Sequence, residues 1–113
     1  MALKAEGRKI LMNVGDFGVD LPFTMTGFQF EPDDKFLIII TKSNNAVKVI
    51  EKEYTNLVGG DLTQFSFALS FTEEESAKLP KGVYNYTLIF LRESENIRNT
   101  VVSNEEFRVG DEV

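Results

Sequence analysis

This chain of 113 residues contains no histidine and no cysteine. That removes the commonest general base, the commonest transition-metal ligand, thiolate nucleophiles and disulfides together. What remains for catalysis is a pair of carboxylates sharing acid and base roles, a Ser-Lys dyad, a tyrosine hydroxyl, or a metal held by carboxylate oxygens. Carboxylates are plentiful: Glu73, Glu74, Glu75, Glu93, Glu95, Glu105, Glu106, Asp111 and Glu112. They fall in turn-like stretches and at the end of the chain, where solvated surface is expected and not the concave pocket that catalysis needs. The reading is a non-enzyme: no catalytic residue, no cofactor and no metal.

Four weaker signals point to no firmer chemistry. Gly15-Asp16-Phe17-Gly18-Val19-Asp20 faintly resembles a calcium loop, with Asp33 and Asp34 as further oxygen donors, but it lacks the alternating acids and closing glutamate of an EF-hand. Asp16 is instead expected to accept hydrogen bonds within a turn. Gly15-x-x-Gly18 and Gly59-Gly60 match neither the dinucleotide nor the P-loop pattern, and neither precedes a helix. Asn85-Tyr86-Thr87 spells a glycosylation acceptor inside an expected strand, and Tyr84 and Tyr86 are expected to pack rather than stack on a ligand.

The elements that would position these residues are strands. One domain is expected over residues 1–113, large enough to bury roughly two thirds of its unfolded surface. Ten phenylalanines and no tryptophan lean towards β structure. Turn signals at Gly15-Asp16-Phe17-Gly18, Gly27, Glu31-Pro32-Asp33-Asp34, Ser43-Asn44-Asn45, Gly59-Gly60-Asp61, Pro80-Lys81-Gly82, Glu93-Ser94-Glu95-Asn96 and Gly110 punctuate short apolar runs. The runs predict strands over Arg8 to Val14, Val19 to Thr26, Lys35 to Lys42, Ala46 to Glu53, Leu62 to Phe71 and Val83 to Arg92. Arg98 to Val102 and Glu106 to Val109 are one bent strand or two short ones. Pro22 cannot donate to a ladder and marks an edge. Phe36-Leu37-Ile38-Ile39-Ile40, apolar on both faces, marks a central strand, and Phe65, Phe67, Leu69 and Phe71 alternate with polar residues.

Thr72-Glu73-Glu74-Glu75 spells a capping box, so one short helix is expected near residues 73–79, stopped by Pro80 and Gly82. Two packed sheets follow. The core is expected to hold Phe36, Ile38, Ile40, Val47, Val49, Phe65, Phe67, Leu69, Leu88, Phe90 and Phe107. Leu79-Pro80-Lys81-Gly82-Val83-Tyr84 has the form of a tyrosine corner, which makes the expected fold an immunoglobulin-like β-sandwich of about seven strands.

A formal charge of −6 argues against nucleic acid and against an anionic membrane surface as partners. The longest apolar run is too short to span a bilayer, and Met1 to Lys9 lacks the apolar segment of a signal peptide. A soluble protein made in a reducing compartment is expected.

Val14-Gly15-Asp16-Phe17, Leu21-Pro22-Phe23-Thr24-Met25, the block from Phe65 through Glu75 to Phe90, and the closing Val101 to Val109 together resemble the N-terminal Ig-like domain of phage baseplate upper proteins. These are tail adaptors of phages infecting Gram-positive bacteria. The resemblance spans most of the chain. It implies a structural subunit of the virion, assembled in the host cytoplasm, that docks on a tail hub and carries receptor-binding proteins. The family's later coiled-coil, receptor-facing region has no counterpart in these residues.

The leading expectation is thus a structural, protein-interaction module whose partners are protein subunits, either copies of itself as a homo-oligomer or other tail proteins. The alternative is a generic carbohydrate- or protein-binding sandwich, with Tyr54, Phe28 and Phe30 as suspects and core packing as the competing role for Phe28 and Phe30. The strand from Arg8 to Val14 carries no guard against edge pairing, so it is expected either to be an inter-subunit edge or to be covered by the C-terminal tail.

Overall fold

The computed structural model describes residues 3–42, 47–56 and 62–111. The expected turns at Ser43-Asn44-Asn45 and Gly59-Gly60-Asp61, the strand start at Ala46, and Glu112 lie outside these residues. Among the described residues eight strands follow in chain order: β1 (Leu3–Glu6), β2 (Lys9–Asn13), β3 (Leu21–Thr26), β4 (Lys35–Lys42), β5 (Val47–Thr55), β6 (Gln64–Leu69), β7 (Gly82–Arg92) and β8 (Ile97–Gly110). A single helical turn, α1 (Glu73–Ser76), joins β6 to β7, and a 3-10 turn, Glu93–Glu95, joins β7 to β8.

The strands form a six-stranded sheet in the order β1-β2-β8-β7-β4-β5 and a two-stranded sheet, β3-β6. The chain crosses between sheets at β2→β3, β3→β4, β5→β6 and β6→β7, the Greek-key course of a sandwich. β2 runs parallel to β8, with Ile10 opposite Phe107, and every other pairing is antiparallel. This is the immunoglobulin-like sandwich expected.

Its interior follows from the alternation in the sequence. Phe65, Phe67 and Leu69 project from β6, Phe36, Ile38 and Ile40 from β4, Leu88 from β7 and Phe107 from β8 into one buried cluster. β4 and β7 are flanked on both edges, which is why their outward residues Leu37 and Ile89 are also buried. β3 and β6 are held by Phe23 and Phe67, which sit opposite one another with rings stacked at 5.1 Å. The Tyr84 hydroxyl donates to the Pro80 carbonyl at 2.6 Å, which closes the tyrosine corner. The capping box is complete: the Glu75 amide donates to Thr72 Oγ1 at 3.1 Å and the Thr72 amide to Glu75 Oε1 at 2.9 Å.

Two expectations change. Residues Leu3–Glu6 form a strand of their own, paired with β2. Leu3, Ile10 and Met12 thereby join the core, although the charges around them hid this in the sequence. β2 is flanked by β1 and by the C-terminal end of β8, so its cover is the tail and the strand is not an open edge. In β5 the register slips between Ile40 and Thr41: Ile40 faces Ile50, but Thr41 faces Lys48. Val49 is the extra residue of that bulge, the alternation changes phase, and Ile50 is buried where Val49 was expected. Val49 is half-buried, and Val47 is 55% exposed instead of in the core.

Candidate functional site

The carboxylates named in the sequence are dispersed. Glu75 is committed to the capping box and to Lys52, whose Nζ is 2.9 Å from Glu75 Oε1. Partial burial alone would raise its pKa, but the Thr72 amide and the Lys52 ammonium outweigh burial and hold it below the usual range. Glu105 and Glu106 pair with Arg8 and Arg108 on the surface, and Asp111 pairs with Lys81. Among the described residues no three acidic side chains converge on a point that could hold a metal ion.

Asp34 was a candidate oxygen donor and proves to be the centre of a different structure. Its carboxylate is fully buried and takes two hydrogen bonds from Arg92, at 2.9 Å from Nε and 2.9 Å from Nη2. A third comes from the Glu31 amide at 2.8 Å. Burial pushes the Asp34 pKa up, and the guanidinium and amide together more than reverse that push. Arg92 also donates to the Gln29 carbonyl at 3.1 Å and lies near Glu31 and Glu95. The whole loop between β3 and β4 is therefore fastened to the end of β7.

That loop carries Phe28 and Phe30, which the sequence could not separate. Gly27 turns the chain with φ of +93°, a conformation that favours glycine, and the two phenylalanines leave the turn in different directions. Phe30 is buried among Phe36, Phe65 and Phe90. Phe28 is 67% exposed, with its ring edge-on to Phe30 at 5.9 Å. Tyr54, the third aromatic suspect, stacks on Phe67 at 4.8 Å and points a buried hydroxyl inward. Burial first, and then the charges of Glu75 and Asp20, push that phenol up to about 12. The Ser70 backbone opposes this shift, more strongly than either charge adds to it, although it makes no well-formed hydrogen bond to the hydroxyl. Tyr54 is thus a partly buried residue packed against the core, and of the three only Phe28 is exposed.

Beside Phe28 lies an apolar groove of about 230 Å³. Phe30, Phe36 and Phe90 make its floor, Met25 and Phe28 one wall, and Ile97, Asn99 and Val101 of β8 the other. It is the seam where the β3-β6 sheet stops short of the larger sheet. β2 covers β8 only from Phe107 to Gly110, so along 97–103 β8 has β7 on one side and no described strand on the other.

The remaining open edges each carry a guard. β1 has four residues. β3 contains Pro22. β5 presents Lys48 and Glu51, paired at 2.7 Å, and Glu53. Along β6 the Asn56 side chain replaces a strand: its amide nitrogen donates to the Gln64 carbonyl at 2.8 Å and its oxygen accepts from the Ser66 amide at 2.9 Å. Short length, proline, charge and side-chain plugging are the devices that keep edges from pairing. The open part of β8 has Arg98 and two irregularities in its register with β7, at Val101 and at 103–104.

No family model, curated protein or solved structure matches this chain. The groove and its edge went unremarked in the sequence. Their only trace there is an apolar alternation, Ile97 and Val101, inside a segment that otherwise reads as a polar strand.

Proposed function

We propose that this protein is a non-enzymatic interaction module that binds other protein subunits, and that it serves as a structural component of a phage tail baseplate. The observation that carries the first half is an open stretch of the β8 edge beside an apolar groove and the exposed Phe28. Edge pairing supplies main-chain hydrogen bonds and the groove supplies side-chain selectivity, the two parts of strand addition. The second half is supported by the sequence resemblance. Its longest stretch, Phe65 to Phe90, spans β6, the capped helical turn and the tyrosine corner.

Particles purified from the infecting phage test the proposal. Quantitative mass spectrometry of whole particles and of isolated tails is expected to find this chain at a fixed ratio to other tail proteins. A chain abundant in infected cells but absent from particles overturns the virion assignment. The carbohydrate-binding alternative retains one aromatic contact, Phe28, which is short of the platform that sugar stacking uses. Binding of a glycan in calorimetric titrations, lost in Phe28→Ala, would favour that reading over the proposed one.

A further inference from the structure

We infer that the groove beside Phe28 receives a segment of a protein partner in which an apolar side chain stands close to a lysine or arginine. The apolar side chain enters the groove, and the cation meets Glu31 and Glu95 at its end. The inference rests on the protein-interaction reading above and adds the chemistry of the partner.

The groove selects an apolar side chain first. Met25 and four phenylalanine rings line it on one side, Ile97 and Val101 on the other. Phe28 is 67% exposed, Val101 45% and Ile97 37%, so this apolar surface stands in water. The volume, about 230 Å³, falls below the range of roughly 300–1,000 Å³ in which pockets enclose a drug-sized molecule. It is room for one large side chain whose backbone continues outside.

Charge selects what stands beside that side chain. Arg92, the last residue of β7, lines the end of the groove, and each of its guanidinium nitrogens already faces an acceptor. Asp34 takes Nε and Nη2, and the Gln29 carbonyl also takes Nη2. Glu31 Oε2 lies 3.3 Å from Nε and Glu95 Oε1 3.6 Å from Nη1. Three carboxylates around one guanidinium leave two negative charges. Asp34 is fully buried and committed to the loop, so the excess sits on Glu31 and Glu95, whose side chains are 38% and 54% exposed.

The crowding shows at Glu31. Burial raises its pKa and Arg92 opposes that, but the charge of Glu95, a hydrogen bond shared with Glu95 and the charge of Asp34 leave it above the usual carboxylate value. A further cation offsets this excess. The neighbouring cations Lys35 and Arg98 do not supply it. Along β4 and β8 they alternate with the groove-lining Phe36, Ile97 and Asn99, so they point to the opposite face of the sheet. Lys35 is paired there with Glu93 at 3.5 Å. The net charge of −6 steers a basic partner towards the domain as a whole.

The test is an NMR titration of the full isotope-labelled chain with three probes. One is the peptide acetyl-Lys-Ser-Phe-Ser-Lys-amide, in which lysine on both sides makes chain direction immaterial. The second is acetyl-Glu-Ser-Phe-Ser-Glu-amide. The third is phenylpropylamine, a ring and a cation without a peptide chain. The basic peptide is expected to shift the amides of Phe28, Gln29 and Ile97 to Val101, with a Kd of about 1 mM or tighter, and the acidic peptide to bind at least about tenfold more weakly. Changing Glu31→Gln and Glu95→Gln together is expected to weaken the basic peptide about fivefold, in keeping with the worth of exposed ion pairs. Glu74→Gln, on the exposed side of α1, removes one charge elsewhere and is expected to leave binding unchanged. The same spectra establish that each variant is folded. Absence of shifts with the basic peptide overturns the inference, as does equal binding of the two peptides, or a double variant that behaves like Glu74→Gln. Phenylpropylamine binding as tightly as the basic peptide overturns the protein partner in favour of a free organic cation. Each of these failures leaves the particle analysis to decide the broader module reading separately.

Discussion

Arg92 and Asp34 lie 58 positions apart in sequence and meet through two hydrogen bonds of 2.9 Å, the planar guanidinium against a fully buried carboxylate. Replacing Asp34 with alanine leaves the guanidinium short of its main partner and the Glu31 amide unmet. Urea unfolding of Asp34→Ala is expected to show a loss of about 3 kcal/mol, in the range for breaking a buried pair from one side. A loss below about 1 kcal/mol would mean that the loop is not held by this contact.

The same pair sets a pH dependence. The folded-state pKa of Asp34 lies below its usual value of 3.8, so the folded chain holds this proton less tightly than the unfolded one. The contribution is complete above the usual value and disappears as the pH falls through the lowered one. Stability of the parent protein is expected to drop across that acidic interval, and Asp34→Asn is expected to flatten the curve there.

Phe28 and Phe30 provide a contrast at two positions' distance. Phe30→Ala empties a site shared with four other rings and is expected to cost about 3–5 kcal/mol. Phe28→Ala removes a ring that is mostly in solvent and is expected to cost under about 1 kcal/mol in thermal or urea unfolding. Equal costs would contradict the view that Phe28 is presented and not packed.

Tyr84→Phe removes only the hydroxyl that reaches Pro80. The expected loss is about 1–2 kcal/mol, because the deletion leaves a carbonyl without its partner in a part-buried corner. A neutral result would show that water replaces the phenol.

Asn56→Ala exposes two backbone groups of β6 that the side-chain amide now occupies. A modest destabilisation, about 1–2 kcal/mol, is expected together with increased light scattering on concentration, since the edge loses its plug. Unchanged scattering would argue that β6 is protected by its surroundings instead.

Much of the architecture could be read in the residues themselves. Phe65, Phe67 and Leu69 alternate because β6 has one buried face, and Phe36 to Ile40 are apolar throughout because β4 is a central strand with a neighbour along each edge. Thr72 with Glu75, and Pro80 with Tyr84, are local pairs whose geometry is dictated within a few positions of chain. Such features depend on strand period and on short-range hydrogen bonds, which the sequence by itself determines.

Other properties depend on which strands become neighbours. Leu3 is a core residue only because β1 folds back on β2, and Ile50 takes the buried place expected for Val49 because Ile50 is the residue that meets Ile40. Asp34 reads in the sequence as a turn residue and possible oxygen donor to calcium, and only the fold brings Arg92, from a distant strand, to its carboxylate. Phe28 and Phe30 are the same residue type two apart, and their opposite fates follow from the loop's anchoring on β7. The open edge of β8 arises because β2 stops at Phe107, and no periodicity within β8 records where its neighbour ends. Long-range pairing decides these points, because burial and exposure are properties of what lies across a gap in space and not of what lies next along the chain.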